Sequence, residues 1–282
     1  MTGRALVLGA GGITGVAWEL GILKGLLDTG VDLTAADLVV GTSAGSIVGS
    51  QVRDGAALDE LVASQQSPTL LPNEQSVELD VEQMATAYMA LAQDAPSPQE
   101  LRARIGALAL AASTAGEAEP VAIIESRLPR HDWPSRRLLV TAVDTATGDL
   151  VVWDRDAGVP LVRAVAASCA IPGVWPPVTV DGRRYMDGGV RSVTNADLAA
   201  GHDAVVIVAP IVGGALGSSL DEEIATLGPA TKVVLVSPDP PALGAIGPNP
   251  LDATRRVPAL TAGLRQAASV LAPVCDAWEL RA

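Results

Sequence analysis

The sequence predicts an α/β protein: a central, mostly parallel sheet flanked by helices on both faces, with a helical insertion. Three observations predict it. The apolar run Ala5-Leu6-Val7-Leu8 leads through the glycine loop GAGGITG (9–15) into a segment of helical spacing. A second run, Asp37-Leu38-Val39-Val40, turns through GTSAGS (41–46) into another helical pattern. Two later runs, 204–209 and 232–237, are continuously apolar, as strands buried on both faces are. Strand–turn–helix units of this kind build parallel sheets covered on both sides.

Taken in order, residues 5–8 are a strand and 16–27 a helix, with Gly30 as its stop. Residues 37–40 are the second strand. From about 64 to 130 the pattern changes. This stretch holds Gln65-Gln66-Ser67-Pro68, an amphipathic run over 80–91, and Ser97-Pro98-Gln99-Glu100. The last is a capping box with proline at the first helical position. It opens a helix to about 112, and a Gly-Glu-Ala-Glu-Pro break precedes a short helix to 128. The segment reads as a helical insertion over the sheet, serving either as a lid or as plain packing. Strands return at 138–143 and 150–153, joined by DTATGD, and a helix covers 159–168. AIPGVWPPV (170–178) then leads into the hairpin VTVDGRRYMDGG (178–189), with Asp181-Gly182 at its tip. Proline and glycine crowd 238–250. Asn249-Pro250 opens the last helix, with Leu251, Val257, Leu260 and Leu264 on one side. Residues 1–282 read as one domain, with 249–282 its C-terminal helical segment, and no internal repeat is found.

Composition narrows the function classes. Hydrophobic residues at 49% and charged residues at 18% describe a globular chain, and with no Phe the core falls to Ala, Val, Leu and Ile. Lys+Arg 19 against Asp+Glu 32 gives −13, which argues against nucleic acid and against electrostatic capture by anionic membranes. Membrane contact is at most peripheral, through Leu70-Leu71 or the apolar face of 80–91, and packing is the simpler reading of both. Cys169 and Cys275 make no disulfide framework and read as reduced, small core residues. With two histidines, His131 and His202, no metal-ligand spacing arises, and neither metal nor cofactor is expected. No signal peptide or membrane span of about 18 apolar residues is recognised. The expected compartment is the cytoplasm, with secretion by a non-standard route left open. Oligomeric state, including a homo-oligomer, is also open.

The glycine loop has two physical readings. Backbone N–H groups at a helix start can hold a phosphate, or a developing oxyanion. A dinucleotide fingerprint needs G-x-G-x-x-G and an acidic residue ending the next strand. Gly9 and Gly11 fit, Thr14 stands where the third glycine belongs, and the next strand ends in Gly41-Thr42-Ser43 with no carboxylate. A Rossmann-type nucleotide module is therefore the alternative. Gly41-Thr42-Ser43-Ala44-Gly45 is G-x-S-x-G at a strand-to-helix junction, where a nucleophilic serine stands proud of the sheet. An N-capping serine in a glycine turn would look the same. The N–H groups of Gly11 and Gly12 can supply the oxyanion hole. For the base, His202 follows Asp187 in the chain order of a Ser-Asp-His triad, but it precedes the strand 204–209 and so lies at the wrong end of a parallel sheet. His131 reads as a surface residue. Asp187, before Gly188-Gly189, ends a strand near flexible N–H groups; on its residues alone it is equally a strand-ending turn.

Together these stretches resemble the patatin-like phospholipases. Four blocks match that family in order: Ala10-Gly11-Gly12-Ile13-Thr14-Gly15, Gly41-Thr42-Ser43-Ala44-Gly45, Ala167-Ser168-Cys169-Ala170-Ile171-Pro172-Gly173 with Pro176-Pro177, and Asp187-Gly188-Gly189. Val143–Gly148 is similar to the strand-turn before the third block. The resemblance spans about residues 4–240. It implies a three-layer α/β/α fold and a lipid or acyl-ester substrate, phospholipid, lysophospholipid or simple ester. It implies a Ser–Asp dyad without histidine, with Ser43 as nucleophile, Asp187 as general base and Gly11 and Gly12 lining the oxyanion hole. Two positions depart from the family's loop. Ala10 stands for a glycine, which a negative φ accommodates, and Thr14 stands for an Arg or Lys, so that only a hydrogen bond can replace the cation.

Overall fold

The computed structural model describes residues 3–67, 79–212 and 219–278. Its strands are β1 (Arg4–Leu8), β2 (Leu38–Gly41), β3 (Leu138–Asp144), β4 (Leu150–Trp153), β5 (Val178–Val180), β6 (Arg183–Asp187), β7 (Ala204–Val208) and β8 (Lys232–Val236). Its helices are α1 (Gly12–Asp28), α2 (Ala44–Arg53), α3 (Leu58–Gln66), α4 (Val81–Ala92), α5 (Pro98–Ala111), α6 (Ala118–Arg127), α7 (Leu161–Ser168), α8 (Leu220–Thr226), α9 (Pro240–Ile246) and α10 (Arg256–Trp278). One sheet runs β5-β6-β3-β2-β1-β7-β8, with β4 also on β3. β3, β2, β1, β7 and β8 are parallel. β4 and β6 pair antiparallel with β3, and β5 antiparallel with β6.

The period of two along β1 divides the core. Leu6 and Leu8 face one side, where they join Trp18 of α1, Ile47 of α2, Val165 of α7 and Leu260 of α10. Ala5 and Val7 face the other, against Ala196, Ala199 and Leu227. A third cluster seats Leu101 and Ile105 of α5 on Val143 of β3 and Met186 of β6. The sheet is thus mostly parallel and covered by helices on both faces, as its strand patterns require.

α1 is buried almost all round, the mark of a helix enclosed by its neighbours rather than lying on a surface. It packs against α10 at glycines. A Cβ on Gly21 would stand 2.4 Å from the Leu260 carbonyl oxygen, and one on Gly263 2.4 Å from that of Trp18. The Trp18 Nε1 donates to Gln266 Oε1 of α10 at 3.3 Å, inside this contact.

Several elements differ from expectation. α1 begins at Gly12, so the glycine loop forms its first turn. α3 and α8 were not foreseen. The stretch 238–250, to which no element was assigned, contains α9, because Asp239 caps it by accepting from Ala242 N and proline occupies its first turn. α10 starts at Arg256, after a 3-10 turn over Ala253–Arg255, rather than at Asn249. β8 lies at the sheet edge, and only Val236 in it is buried. α4 has no fully buried residue, with Met89 61% exposed, so the run 80–91 is only partly packed. Both cysteines are free and partly buried, packed against the main core cluster. Leu70-Leu71 lies outside the described residues. Among the described residues no helix is long and apolar enough to cross a membrane.

Gly263→Val should force α1 and α10 apart and lower the unfolding free energy by about 1–3 kcal/mol, the range for overpacking. Urea denaturation of the two proteins measures it; equal midpoints would show that the crossing tolerates the methyls.

Candidate active site

β2 ends at Gly41, and the chain turns sharply into α2. Ser43 at the turn has φ 53° and ψ −115°, a left-handed-side conformation that a non-glycine residue rarely adopts. The flanking glycines are dictated by space. A Cβ on Gly45 would lie 2.0 Å from Leu8 O, and one on Gly41 2.6 Å from Gly45 O. Hydrogen bonds fasten the turn to the end of β1: Thr42 N donates to Leu8 O at 3.1 Å, and Gly45 N to Gly9 O at 3.0 Å. Ser43 N donates to Ser168 Oγ at 2.9 Å, and the residue is 4% exposed.

The glycine loop continues β1 beside this turn. Its N–H groups at Gly9, Ala10, Thr14 and Gly15 go to the carbonyls of Val208, Val193, Pro250 and Gly11. Those of Gly11, Gly12 and Ile13 have no acceptor among the described residues, and the two glycines line the cleft that holds Ser43. Gly12 has φ 61°, and a Cβ there would meet Pro250 O at 2.6 Å. Ala10 is not among the positive-φ residues, so its methyl is accommodated.

Asp187 ends β6. Register brings it to Ser43: β3 pairs Val140 with Gly41 and Ala142 with Asp187. The two strand ends therefore meet two residues apart along one strand. Asp187 N donates to Ala170 O at 3.0 Å, and Gly189 N donates to Asp187 Oδ1 at 2.7 Å. Burial pushes the Asp187 carboxyl up to about 7, against the opposing pull of the Gly189 N–H and a hydrogen bond with Ser43. Gly188 has no room for a side chain, since a Cβ would sit 2.3 Å from Thr141 Oγ1.

A buried polar bed supports both halves. Thr42 Oγ1 and Thr141 Oγ1 are 2.9 Å apart. Asn195 Nδ2 donates to Thr42 Oγ1 at 3.0 Å and to Ser192 O at 2.8 Å. Thr194 Oγ1 donates to Glu223 Oε2 at 2.7 Å, which also accepts from Ala196 N.

Two largely apolar clefts open at Ser43. One, of about 150 Å³, is lined by Gly11, Gly12, Asp187 and Gly189 and by Met84 and Tyr88 of α4. The other, of about 60 Å³, runs toward Ile123 and Ile124 of α6, Ala166 of α7 and Trp175. Cys169 lies beside the turn, its Sγ 3.4 Å from Ser43 O. Burial and the Asp187 charge push its thiol up to about 12, so it stays protonated and is no rival nucleophile at neutral pH.

Of the residues singled out from the sequence, Ser43, Asp187, Gly11, Gly12, Gly41, Gly45, Gly188 and Gly189 come together here. The histidines do not. His202 precedes β7 at the opposite end of the parallel strands, its Nδ1 2.9 Å from Ala199 O. His131 is exposed and contacts the Glu125 carbonyl oxygen. No carboxylate ends β2 for a ribose, which leaves the nucleotide alternative without its acidic partner. Sequence reasoning missed three parts: Ser168, Asn195 and Tyr88. Ser168 lies inside the third matched block, but nothing in that block marked it as the acceptor of the Ser43 N–H. For Asn195 and Tyr88 there was no signal.

A family model described as patatin-like phospholipase matches residues 6–200. Uncharacterized NTE family proteins of Mycobacterium tuberculosis and Mycobacterium bovis are 28% identical over 220 residues, 78% of this chain and 52% of theirs. The chain thus spans about half the length of the curated relatives it matches. Among solved structures, VipD from Legionella pneumophila aligns at 13% identity and a TM-score of 0.43, over 96% of this chain and 66% of that one. The type III effector protein ExoU aligns at 16% identity and a TM-score of 0.39, over 94% of this chain and 53% of its own.

Asn195→Ala should destabilise the fold by about 2–3 kcal/mol, because it leaves buried acceptors unpaired and puts alanine at a left-handed position. Thermal and urea unfolding measure this; a loss under about 0.5 kcal/mol would mean that the polar bed closes without it.

Proposed function

The chain belongs to the patatin-like phospholipase family, and on that premise we propose that it is a serine lipid acyl hydrolase acting through an acyl-enzyme on Ser43. The observation that carries the reading is that Ser43, on its strained turn, and the buried Asp187 line one cleft with Gly11 and Gly12, whose N–H groups have no acceptor among the described residues.

Asp187 takes the Ser43 hydroxyl proton as Oγ attacks the ester carbonyl. The developing oxyanion accepts from the N–H groups of Gly11 and Gly12, at the positive end of α1. Asp187 then passes its proton to the departing alcohol, and a water molecule, deprotonated by the same carboxylate, releases the acid. A carboxyl near 7 suits both steps: it is basic enough to take the proton and acidic enough to return it. The helices between 81 and 127, which wall both clefts, set acyl and alcohol preference.

A fluorophosphonate probe should label Ser43 alone, and Ser43→Ala or Asp187→Asn should each reduce hydrolysis of short p-nitrophenyl esters by about 10³-fold or more. Mass spectrometry of the labelled peptide decides the first point; full turnover in Ser43→Ala would sink the assignment. The base must be ionised, so kcat/KM should be constant above pH ~7 and fall about tenfold per unit below it. An unchanged rate at pH 5 would show that the group with the raised pKa is not the base.

A further inference from the structure

Tyr88 stands on α4 and lines the cleft that Asp187 also lines. Its ring packs on the cluster of Leu101, Ile105 and Met186, while its hydroxyl is buried with no hydrogen-bond partner among the described residues. A buried, unpaired phenol is unfavourable, and a Phe would fill the same space without leaving a donor unmet. The side chain lines the same cleft as Ser43, Gly11, Gly12 and Asp187, and since the hydroxyl is shut off from the cleft, a small turn of the ring is what would bring it to a molecule bound there.

Given the Ser43–Asp187 chemistry proposed above, on which this assignment depends, the two clefts have different occupants. The proton on Asp187 must reach the departing alkoxide oxygen. The alcohol therefore leaves on the side of Asp187, which lines the Tyr88 cleft and not the other. The acyl chain is left with the cleft of Ile123, Ile124, Ala166 and Trp175. We propose that the Tyr88 hydroxyl donates a hydrogen bond to the alcohol portion of the substrate, so that the site selects esters whose alcohol carries an acceptor oxygen close to the scissile bond. Burial and the neighbouring Asp187 charge hold the phenol in its protonated form, so it acts as a donor and not as a base. A glyceryl oxygen and a phosphate oxygen both satisfy this chemistry.

The test compares wild type with Tyr88→Phe on three esters of one acyl chain: p-nitrophenyl octanoate, 1-octanoylglycerol and an octanoyl lysophosphatidylcholine. The variant should stay within about twofold on the aryl ester and lose about tenfold or more in kcat/KM on a glyceryl ester, with its melting temperature unchanged or raised. Loss on both glyceryl substrates assigns the acceptor to glycerol, and loss on the lysophospholipid alone assigns it to phosphate. Unchanged rates on both, an equal loss on all three, or a wild type that cleaves only the aryl ester overturns the proposal. A wild type that cleaves none and is not labelled at Ser43 instead overturns the hydrolase reading beneath it.

Discussion

The contact on which the site depends is that of Gly45 with the backbone of Leu8. With a Cβ position 2.0 Å from Leu8 O, no other residue lets α2 start this close to β1. The same approach aligns Thr42 N with Leu8 O and Gly45 N with Gly9 O. The turn at Ser43 and the glycine loop therefore leave neighbouring strands as one hydrogen-bonded unit. A positive φ at Ser43 costs on the order of 1–2 kcal/mol, and these bonds to the end of β1 offset it. Strain and restraint sit in the same few residues, which fixes the backbone of the turn that carries Ser43.

β3 supplies the second constraint. It is zipped to β2 as far as Val140–Gly41 and to β6 from Ala142–Asp187 onward, so residues 146 positions apart in sequence end beside one another. Thr141 lies between these two pairs, and its hydroxyl occupies the space where a Gly188 side chain would be. Such strand ends carry backbone and hydroxyl groups into a dry interior. Asn195, itself at φ 51°, meets them with one amide. A bed of this kind is worth more complete than in parts, because each missing partner leaves another buried group unmet. The block around Ser168 joins the two halves from above: Ser168 Oγ receives the Ser43 N–H, and Ala170 O the Asp187 N–H.

Local signals made the strands and the turn at Ser43 legible in the sequence. Short apolar runs that end at glycine or proline leave little else for 5–8, 38–40 and 204–209 to be, and the ordered motifs pointed to the family. Where local signals compete, reading failed. Asp239-Pro240-Pro241 is a helix start, yet the prolines and glycines around it also describe a loop, and tertiary packing decides. Lys232–Val236 is as apolar as a central strand but has no outer neighbour, and strand order is not written in any one segment. Tyr88 was illegible for a different reason. Its meaning comes from residues about 45 and 100 positions away, and nothing in 80–91 distinguishes an aromatic that packs from one that reaches a cleft.

Thr14 shows how far a substitution can be understood only in three dimensions. From the sequence it stands where a cation is expected and leaves a hydroxyl as the replacement donor. In the fold it is fully buried, with its N–H donating to Pro250 O at 3.1 Å and its hydroxyl to the same oxygen at 3.3 Å. That hydroxyl is therefore engaged away from the cleft and is not the substitute donor. Its work is to hold the 249–252 turn against the glycine loop, at the point where Gly12 leaves no room for a Cβ beside Pro250 O. The turn in turn forms part of the cleft wall through Pro250. Thr14 thus brings no charge to a developing oxyanion. In the proposed reaction that stabilisation falls to the N–H groups of Gly11 and Gly12 and to the α1 terminus, whose geometry Thr14 helps to fix.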